Sequence, residues 1–136
     1  MGLRVSWDVP NIFEYFINTH LDLRATRDRF LGPFGNPSQE DKIELGRLFD
    51  RLLNEDREAY TDKVEEILSQ YCQELKRNKC RSEAEVMNLA CLVRKEAQDG
   101  FEAGVFAAAK LFDNNFNFDY NGPWAPHNFV ELELKL

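Results

Sequence analysis

The chain has 136 residues and a formal net charge of −7, with 43% hydrophobic and 30% charged residues. This balance is typical of a globular protein and excludes a disordered one, and the length suits one domain that spans residues 1–136. The acidic charge argues against a general nucleic-acid binder or a binder of anionic membranes, because both need a positive surface. No apolar run approaches the roughly 18 residues of a membrane helix, so we expect no membrane partner.

The first part of the chain predicts one strand followed by helices. Apolar and polar residues alternate over residues 3–7, which predicts a strand with one buried face. Asp8 is placed to cap a helix over residues 10–21, whose first turn accommodates a proline. A short helix or turn is expected over residues 23–31. Residues 32–37 contain two prolines and two glycines, which predicts a loop.

The middle of the chain predicts two amphipathic helices. Ser38 is a suitable N-cap, and apolar residues recur at helical spacing over residues 38–53. A second apolar stripe covers residues 60–75. Residues 54–56 are compatible with a turn and with the surface of one continuous helix, so both remain open. The basic segment, residues 76–81, is expected to follow the helix end, where cations favour the helix dipole.

A central helix is predicted over residues 82–112. It opens with Ser82 and Glu85 in the spacing of a capping box. Its apolar surface includes an unusually small row: Ala97, Gly100, Gly104 and Ala108. This row favours a core helix with one tight crossing, and the alternative is the floor of a groove for a partner helix. A glycine costs about 1 kcal/mol inside a helix, so the run can be one helix or two.

The C-terminal part of the chain has the period of a strand. Phe116, Phe118 and Tyr120 alternate with polar residues, a turn signal follows at residues 121–122, and regular alternation returns over residues 129–136. This predicts a C-terminal hairpin, which the N-terminal strand joins. The predicted fold class is mainly α, of the α+β type: a bundle of about four to five helices with a small antiparallel sheet.

No catalytic arrangement of residues is present, so we expect a non-enzymatic protein without a cofactor. The two histidines are far apart in the chain, and no glycine-rich phosphate loop is found. Residues 117–122 begin like a calcium loop, with oxygen ligands at Asn117, Asp119 and Asn121. Asn128 stands where that loop needs a bidentate glutamate, and a strand with a turn explains the same residues. We therefore predict no metal site.

The three cysteines predict reduced thiols. Cys72, Cys80 and Cys91 have an odd count and fit no zinc spacing. Their number and positions favour a cytoplasmic or nuclear protein. Cys80 stands among basic residues, which predicts a lowered pKa and raised reactivity; the alternative is an incidental loop cysteine.

Two features favour recognition of another protein. The first is the aromatic hairpin, where we expect Trp124 to be an exposed anchor, with Tyr120 and Phe118 beside it. The second is the edge of the terminal strand, which carries Glu131 and Glu133 and can pair with a partner strand or a second copy of the chain. The sequence thus predicts an adaptor or regulatory domain that binds another protein and is able to form a homodimer.

The basic segment gives an alternative function. Lys76, Arg77, Lys79 and Arg81 can contact phosphate groups or an acidic partner. No aromatic residue is interleaved to stack on bases, and cations also serve to stabilise a helix end. Nucleic acid is therefore not the partner we expect, and a nucleic-acid or ribonucleoprotein factor is kept as the alternative.

Two short stretches resemble the Bcl-2 family of apoptosis regulators. Residues 99–108 are similar to its first homology region, and residues 121–132, which include Asn121-Gly122-Pro123-Trp124, are similar to its second. Ala103 and Val105 stand where that family has Trp and Arg, and the resemblance covers about a fifth of the chain. It implies a helical groove that binds a partner helix. We keep this as a further alternative and assign no family.

Overall fold

The computed structural model describes residues 1–30 and 38–122. In chain order they form β1 (Gly2–Trp7), α1 (Ile12–Thr19), α2 (Leu21–Phe30), α3 (Gln39–Leu68), β2 (Glu74–Asn78), β3 (Glu85–Leu92), a 3-10 turn (Lys95–Ala97), α4 (Gln98–Ala109) and β4 (Phe116–Asn121). Contacts group the chain into two compact units. The first unit is Met1–Asp8 with Arg57–Leu136, and the second is Val9–Asp56. Helix α3 contributes residues to both units, and the single-domain organisation stays a prediction.

An antiparallel sheet is the centre of the first unit. Among the described residues it has four strands in the order β2-β3-β1-β4. Leu3 of β1 lies opposite Leu89 of β3 on one side and Tyr120 of β4 on the other. Leu3, Val5 and Trp7 are buried, as their alternation with polar residues predicts.

Strand β3 shows that the predicted central helix over residues 82–112 is wrong. Residues 85–91 are all buried, because β3 is paired on both sides and has buried positions on both faces. In a continuous apolar run of this kind, the spacing of apolar residues is the same for a buried strand and a buried helix, so the sequence pattern does not distinguish them. The helix begins only at Gln98, as α4.

The predicted capping box is a turn that precedes β3. The amide of Glu85 donates to the carbonyl oxygen of Ser82 at 3.2 Å. The Glu85 carboxylate accepts from the amide of Arg81 at 3.0 Å, not from Ser82 as expected. The Arg57 side chain donates to three carbonyl oxygens of this turn, those of Ser82, Glu83 and Glu85, at 3.0, 3.1 and 2.9 Å. Arg57 therefore connects α3 to the start of β3.

The small row of α4 packs on Tyr71. A β-carbon added at Gly104 would lie 3.0 Å from Cε2 of Tyr71, and one added at Gly100 would lie 3.0 Å from Cδ1 of the same ring. The ring therefore covers two glycines one turn apart, and larger residues would displace it. This agrees with the interpretation of a tight core contact rather than a groove floor.

Residues 74–78 form strand β2, so the prediction that the helix continues to residue 75 is also wrong. Helix α3 ends at Leu68, and the amide of Tyr71 donates to the Leu68 carbonyl at 3.0 Å. Leu75 is then aligned with Cys91 of β3. Pairing with β3 supplies the backbone hydrogen bonds that the last turns of a helix would have supplied, so tertiary contacts override the local periodicity.

The second unit contains α1, α2 and the first part of α3. Asn11, rather than Asp8, caps α1, since its side chain accepts from the amide of Glu14 at 3.0 Å. The predicted Ser38 cap is confirmed by reciprocal bonds with Asp41: Ser38 Oγ accepts at 3.1 Å, and the Asp41 carboxylate accepts from the Ser38 amide at 3.0 Å. Residues 54–56 are helical, so α3 is continuous through the position left open.

The predicted mixed class of helices and antiparallel sheet is confirmed. The described residues contain four α-helices, and β4 pairs with β1, as expected for the N-terminal strand. The sheet is larger than predicted because β2 and β3 are strands. The second arm of the predicted hairpin, residues 129–136, lies outside the described residues.

Candidate functional site

An apolar pocket lies between α1, α2 and α3 in the second unit. Its volume is about 290 Å³, close to the lower limit of pockets that bind small ligands. Residues from all three helices line it: Phe13, Phe30, Asp41, Lys42, Leu45, Gly46 and Phe49. The pocket is therefore built by tertiary packing and not by one segment of the sequence.

One wall of the pocket is a group of aromatic rings. Phe13 meets Phe49 edge-on, with ring centroids 5.2 Å apart and an interplanar angle of 73°. Phe16 is buried beneath and meets the same Phe49 ring at 5.4 Å and 88°. Edge-to-face pairs contribute about 0.5–1.5 kcal/mol beyond burial, so these contacts stabilise the wall of the pocket.

The pocket is open at Gly46. A β-carbon added at this residue would meet no atom within 4 Å. Gly46 is inside α3, where glycine is less favourable than alanine by about 1 kcal/mol, and no turn or positive φ requires it. The missing side chain leaves open space at this position of the pocket lining that a larger residue would occupy.

The pocket lining includes two charged residues, Asp41 and Lys42. The Asp41 carboxylate bonds the Ser38 amide, as described above. The Arg29 guanidinium lies 4.6 Å from the centroid of the Phe30 ring and covers one side of it. The lining residues include no histidine, cysteine or hydroxyl side chain. The mostly apolar lining is suited to the burial of an apolar group, with Asp41 and Lys42 as its charged residues.

His20 lies outside the pocket lining and has structural contacts. Its Nε2 is 2.9 Å from a carboxylate oxygen of Asp56. Its ring stacks on Phe16 at a centroid distance of 4.9 Å. These contacts join α1 to α3 within the second unit.

Two residues of the predicted aromatic anchor lie in β4 and pack in the first unit. The Phe118 ring is 5.0 Å from Phe112, and the Tyr120 ring is 6.0 Å from Phe101. Both are half-buried. Trp124, Glu131 and Glu133 lie outside the described residues. Partner binding by this group stays a prediction.

The basic segment falls on β2 and the turn that follows it, not on a helix end. Lys76, Lys79 and Arg81 are exposed. Arg77 is instead surrounded by carboxylates of α3, and its guanidinium bonds Glu65 at 2.6 Å, Asp62 at 2.8 Å and Glu58 at 3.3 Å. The hydrogen bond to Asp62, followed by that to Glu65, raises the pKa of Arg77. The structure therefore does not present these four residues as one cationic surface.

The prediction of a reactive Cys80 is wrong in its direction. Burial raises the pKa of Cys80, and this outweighs the opposite effect of nearby Arg57. Burial also raises the pKa of Cys72, and it raises that of Cys91 to about 12. All three are free thiols.

Residues 1–30 and 38–122 hold neither a cluster of metal-ligating side chains nor a helix able to cross a membrane. Within them no group of three or more His, Cys, Asp or Glu side chains is placed to hold a metal ion. Asn117, Asp119 and Asn121, the start of the calcium-loop pattern, lie on strand β4 paired with β1. No helix in these ranges is both long and apolar enough to span a membrane.

Sequence reasoning placed the pocket residues in helices but did not bring them together. The apolar spacing predicts two separate helices over residues 10–21 and 38–53, which contain Phe13 and Phe49, and a short helix or turn over residues 23–31, which contains Phe30. Gly46 was the available signal, because an isolated glycine within a helical pattern usually has a packing or functional reason.

The fold defines a mixed α and β protein with a four-stranded antiparallel sheet, and solved structures share it. The chain superimposes on the crystal structure of the gas vesicle protein GvpF from Anabaena sp. with a TM-score of 0.82 and 23% identity, covering 95% of this chain and 52% of that one. GvpF from Microcystis aeruginosa gives a TM-score of 0.72 and 21% identity, over 95% of this chain and 52% of that one.

The sequence identifies the family. Residues 1–131 match the family described as gas vesicle synthesis protein GvpL/GvpF, and the chain belongs to that family. It is 24% identical over 133 residues to gas vesicle protein F of Dolichospermum flosaquae, which covers 98% of this chain and 54% of the relative. It is 33% identical over 49 residues to gas vesicle protein F of Haloferax mediterranei, over 36% of this chain and 23% of that protein.

Nearly all of this chain matches gas vesicle protein F of Dolichospermum flosaquae, but the chain spans only about half the length of that protein. The match also overturns the Bcl-2-like alternative, because residues 99–108 and 121–131 of that resemblance fall within the GvpL/GvpF match. Residues 116–121 moreover form a strand that is paired with β1.

Proposed function

We propose that this chain is a non-enzymatic factor in gas vesicle synthesis that acts by binding another gas vesicle protein. Family membership supports the process. The pocket between α1, α2 and α3 supports the mode of action, because it is pre-formed and mostly apolar. The relatives come from prokaryotes, so the cytoplasm is the compartment this proposal assigns.

The size and apolar lining of the pocket indicate the kind of partner group that it would bind. It takes one large apolar side chain from an amphipathic helix of the partner, which lies across α3 with its anchor above Gly46. Burial of a Leu or Phe side chain is worth about 1.5–3 kcal/mol, which is sufficient for one anchor of a specific contact. Trp124, Glu131 and Glu133 remain proposed partner contacts in addition to the pocket.

Substitutions at Gly46 that fill the pocket test this proposal. Gly46→Phe places a ring in the open space and blocks entry, while Gly46→Ala adds only a methyl group that meets no atom within 4 Å. Individually produced gas vesicle proteins are immobilised, and binding of the three forms of the chain is measured. We expect one or more of these proteins to bind wild type and Gly46→Ala equally. Gly46→Phe should bind at least tenfold more weakly, which corresponds to about 1.4 kcal/mol.

Circular dichroism and a thermal midpoint establish that Gly46→Phe is folded. A wild-type chain that binds no gas vesicle protein would contradict the proposed function. Equal binding by Gly46→Phe and Gly46→Ala would leave protein binding in place and refute the pocket as its site.

A further inference from the structure

Two of the three cysteines lie side by side in the first unit. Cys72 is in the segment between α3 and β2, and Cys91 lies near the end of β3. The amide of Gln73 donates to the carbonyl oxygen of Leu92 at 2.8 Å, so a backbone bond joins the residues that directly follow the two cysteines. The side chains also meet, because the two thiols form a hydrogen bond with each other. We call Cys72 and Cys91 the thiol pair.

The two members of the thiol pair differ in exposure and in how readily they ionise. Cys72 is half-buried, and its thiol donates to the carbonyl oxygen of Leu68 at 3.3 Å. Cys91 is fully buried. Burial raises the pKa of both thiols, and the hydrogen bond between them then lowers the pKa of Cys72 and raises that of Cys91, which reaches about 12. Cys72 therefore ionises first, with the S–H group of Cys91 as a donor to its thiolate.

This order of ionisation assigns the two roles of a thiol–disulfide exchange. The attacking group is a thiolate that the oxidant can reach, and Cys72 is the member of the pair that meets both conditions. Cys91 is closed to an oxidant in solution but lies against the Cys72 sulfur. It is therefore placed to resolve a mixed disulfide on Cys72 and not to form one itself.

We propose that the thiol pair is a redox site, at which a small-molecule disulfide oxidises Cys72 and Cys91 to a reversible internal disulfide. The Cys72 thiolate attacks one sulfur of the oxidant, forms a mixed disulfide and releases one thiolate. The Cys91 thiol then loses its proton and attacks the Cys72 sulfur, so the bond between the cysteines forms and the second thiolate leaves. The pair loses two electrons and two protons, and the oxidant becomes two thiols.

The site goes beyond the proposed function and does not depend on it. The disulfide would connect the segment after α3 to β3 next to the contact with α4, since Tyr71 precedes Cys72 and its ring lies against Gly100 and Gly104. It would also constrain residues 72–91 in the unfolded chain, which favours the folded state. We expect the thermal midpoint of the oxidised chain to be higher by roughly 5–10 °C.

Cys80 is a matched control within the same chain. It is half-buried like Cys72, and burial also raises its pKa. The charged groups that act on it are Arg57 and Glu85, and the thiol pair is not among its neighbours. All three cysteines belong to the part of the chain that the structure describes. Cys80 should therefore form no internal disulfide in the folded chain.

Oxidation with glutathione disulfide tests the site. The reduced, folded chain is oxidised, free thiols are blocked with N-ethylmaleimide, and the peptides are identified by mass spectrometry. Wild type and Cys80→Ser should both give the Cys72–Cys91 disulfide, two hydrogens lighter than the reduced pair, and dithiothreitol should reverse it. Cys91→Ala should stop at a glutathione adduct on Cys72, and Cys72→Ser should leave Cys91 unmodified.

The fold is required for this selectivity, so a parallel reaction in denaturant completes the test. In denaturant all three cysteines should pair without preference, whereas in the folded chain the Cys72–Cys91 bond should form at least tenfold faster than any bond to Cys80. Circular dichroism establishes that each variant is folded, and Cys72→Ser replaces only a half-buried thiol. A folded wild type that keeps the glutathione adduct on Cys72, or that pairs Cys80 as readily, overturns the proposal.

Discussion

The contact of α4 with Tyr71 predicts that replacing glycine by alanine changes the stability in opposite directions at Gly46 and at Gly104. Replacing glycine by alanine inside a helix gains about 1 kcal/mol of stability where the methyl group has space. At Gly46 the new β-carbon meets nothing within 4 Å, so Gly46→Ala should gain this amount. At Gly104 the β-carbon would lie 3.0 Å and 3.1 Å from two carbons of the Tyr71 ring, closer than normal van der Waals contact.

The steric cost at Gly104 is estimated from overpacking. Inserting a methyl group into a packed contact costs about 1–3 kcal/mol. After the helix gain of about 1 kcal/mol is subtracted, Gly104→Ala should be destabilising by about 1 kcal/mol. For a chain of this length that lowers the thermal midpoint by about 3 °C.

A double-mutant cycle isolates the contact. In a Tyr71→Ala background the ring is gone, so Gly104→Ala should become stabilising by about 1 kcal/mol, and the interaction free energy should be about 2 kcal/mol. Urea unfolding followed by circular dichroism measures the four forms. If Gly104→Ala had the same sign and size in both backgrounds, the Tyr71 ring would not be the neighbour that limits residue 104.

Two further predictions concern other contacts of the first unit and a control in the second. Arg57→Lys should lower the free energy of unfolding by about 2 kcal/mol, since an ammonium carries its donors on one nitrogen and cannot reproduce the separate bonds from Nε and Nη2. Arg51→Lys, at an exposed 3.7 Å ion pair, should change this free energy little, and equal effects of the two substitutions would contradict the role of Arg57. Alkylation at pH 8 should be slowest at Cys91, whose pKa of about 12 makes it roughly a thousandfold less ionised than an ordinary thiol. Cys72 and Cys80 should react faster than Cys91 in the folded chain and at the same rate as Cys91 in denaturant; fast folded-state labelling of Cys91 would contradict its burial.

Some elements were predictable because one local pattern determines them. The alternation over residues 3–7 matches β1, and the Ser38 cap depends only on residues within one turn. The stripe of residues 60–75 was predictable as far as Leu68, where helical spacing and tertiary contacts agree. Beyond it, residues 71 and 75 keep the spacing, but pairing with β3 supplies a better set of backbone bonds.

The central strand and the pocket were not predictable, for related reasons. Burial on two faces removes the period from β3, so its side chains give no preference for strand or helix. The pocket requires residues from three helices to meet, and helix spacing says which face of each is apolar but not which faces leave a space. Of its residues, only Gly46 carries a signal in the sequence, since it weakens a helix without a local structural need.

The sequence alone does not show that Arg77 of the basic segment lies among carboxylates of α3. This position leads to a final prediction about nucleic-acid binding. Three carboxylates of α3 surround this guanidinium. Arg77 and these carboxylates, those of Glu58, Asp62 and Glu65, therefore carry a net negative charge together. We expect fluorescence anisotropy to show no tight binding of single-stranded nucleic acid at about 150 mM salt. The variant Asp62→Asn with Glu65→Gln removes two of the three carboxylate charges around Arg77, so it should bind more tightly than wild type at low salt. Tight, salt-sensitive binding by wild type that this variant leaves unchanged would show that Lys76, Lys79 and Arg81 suffice, and would restore the nucleic-acid alternative.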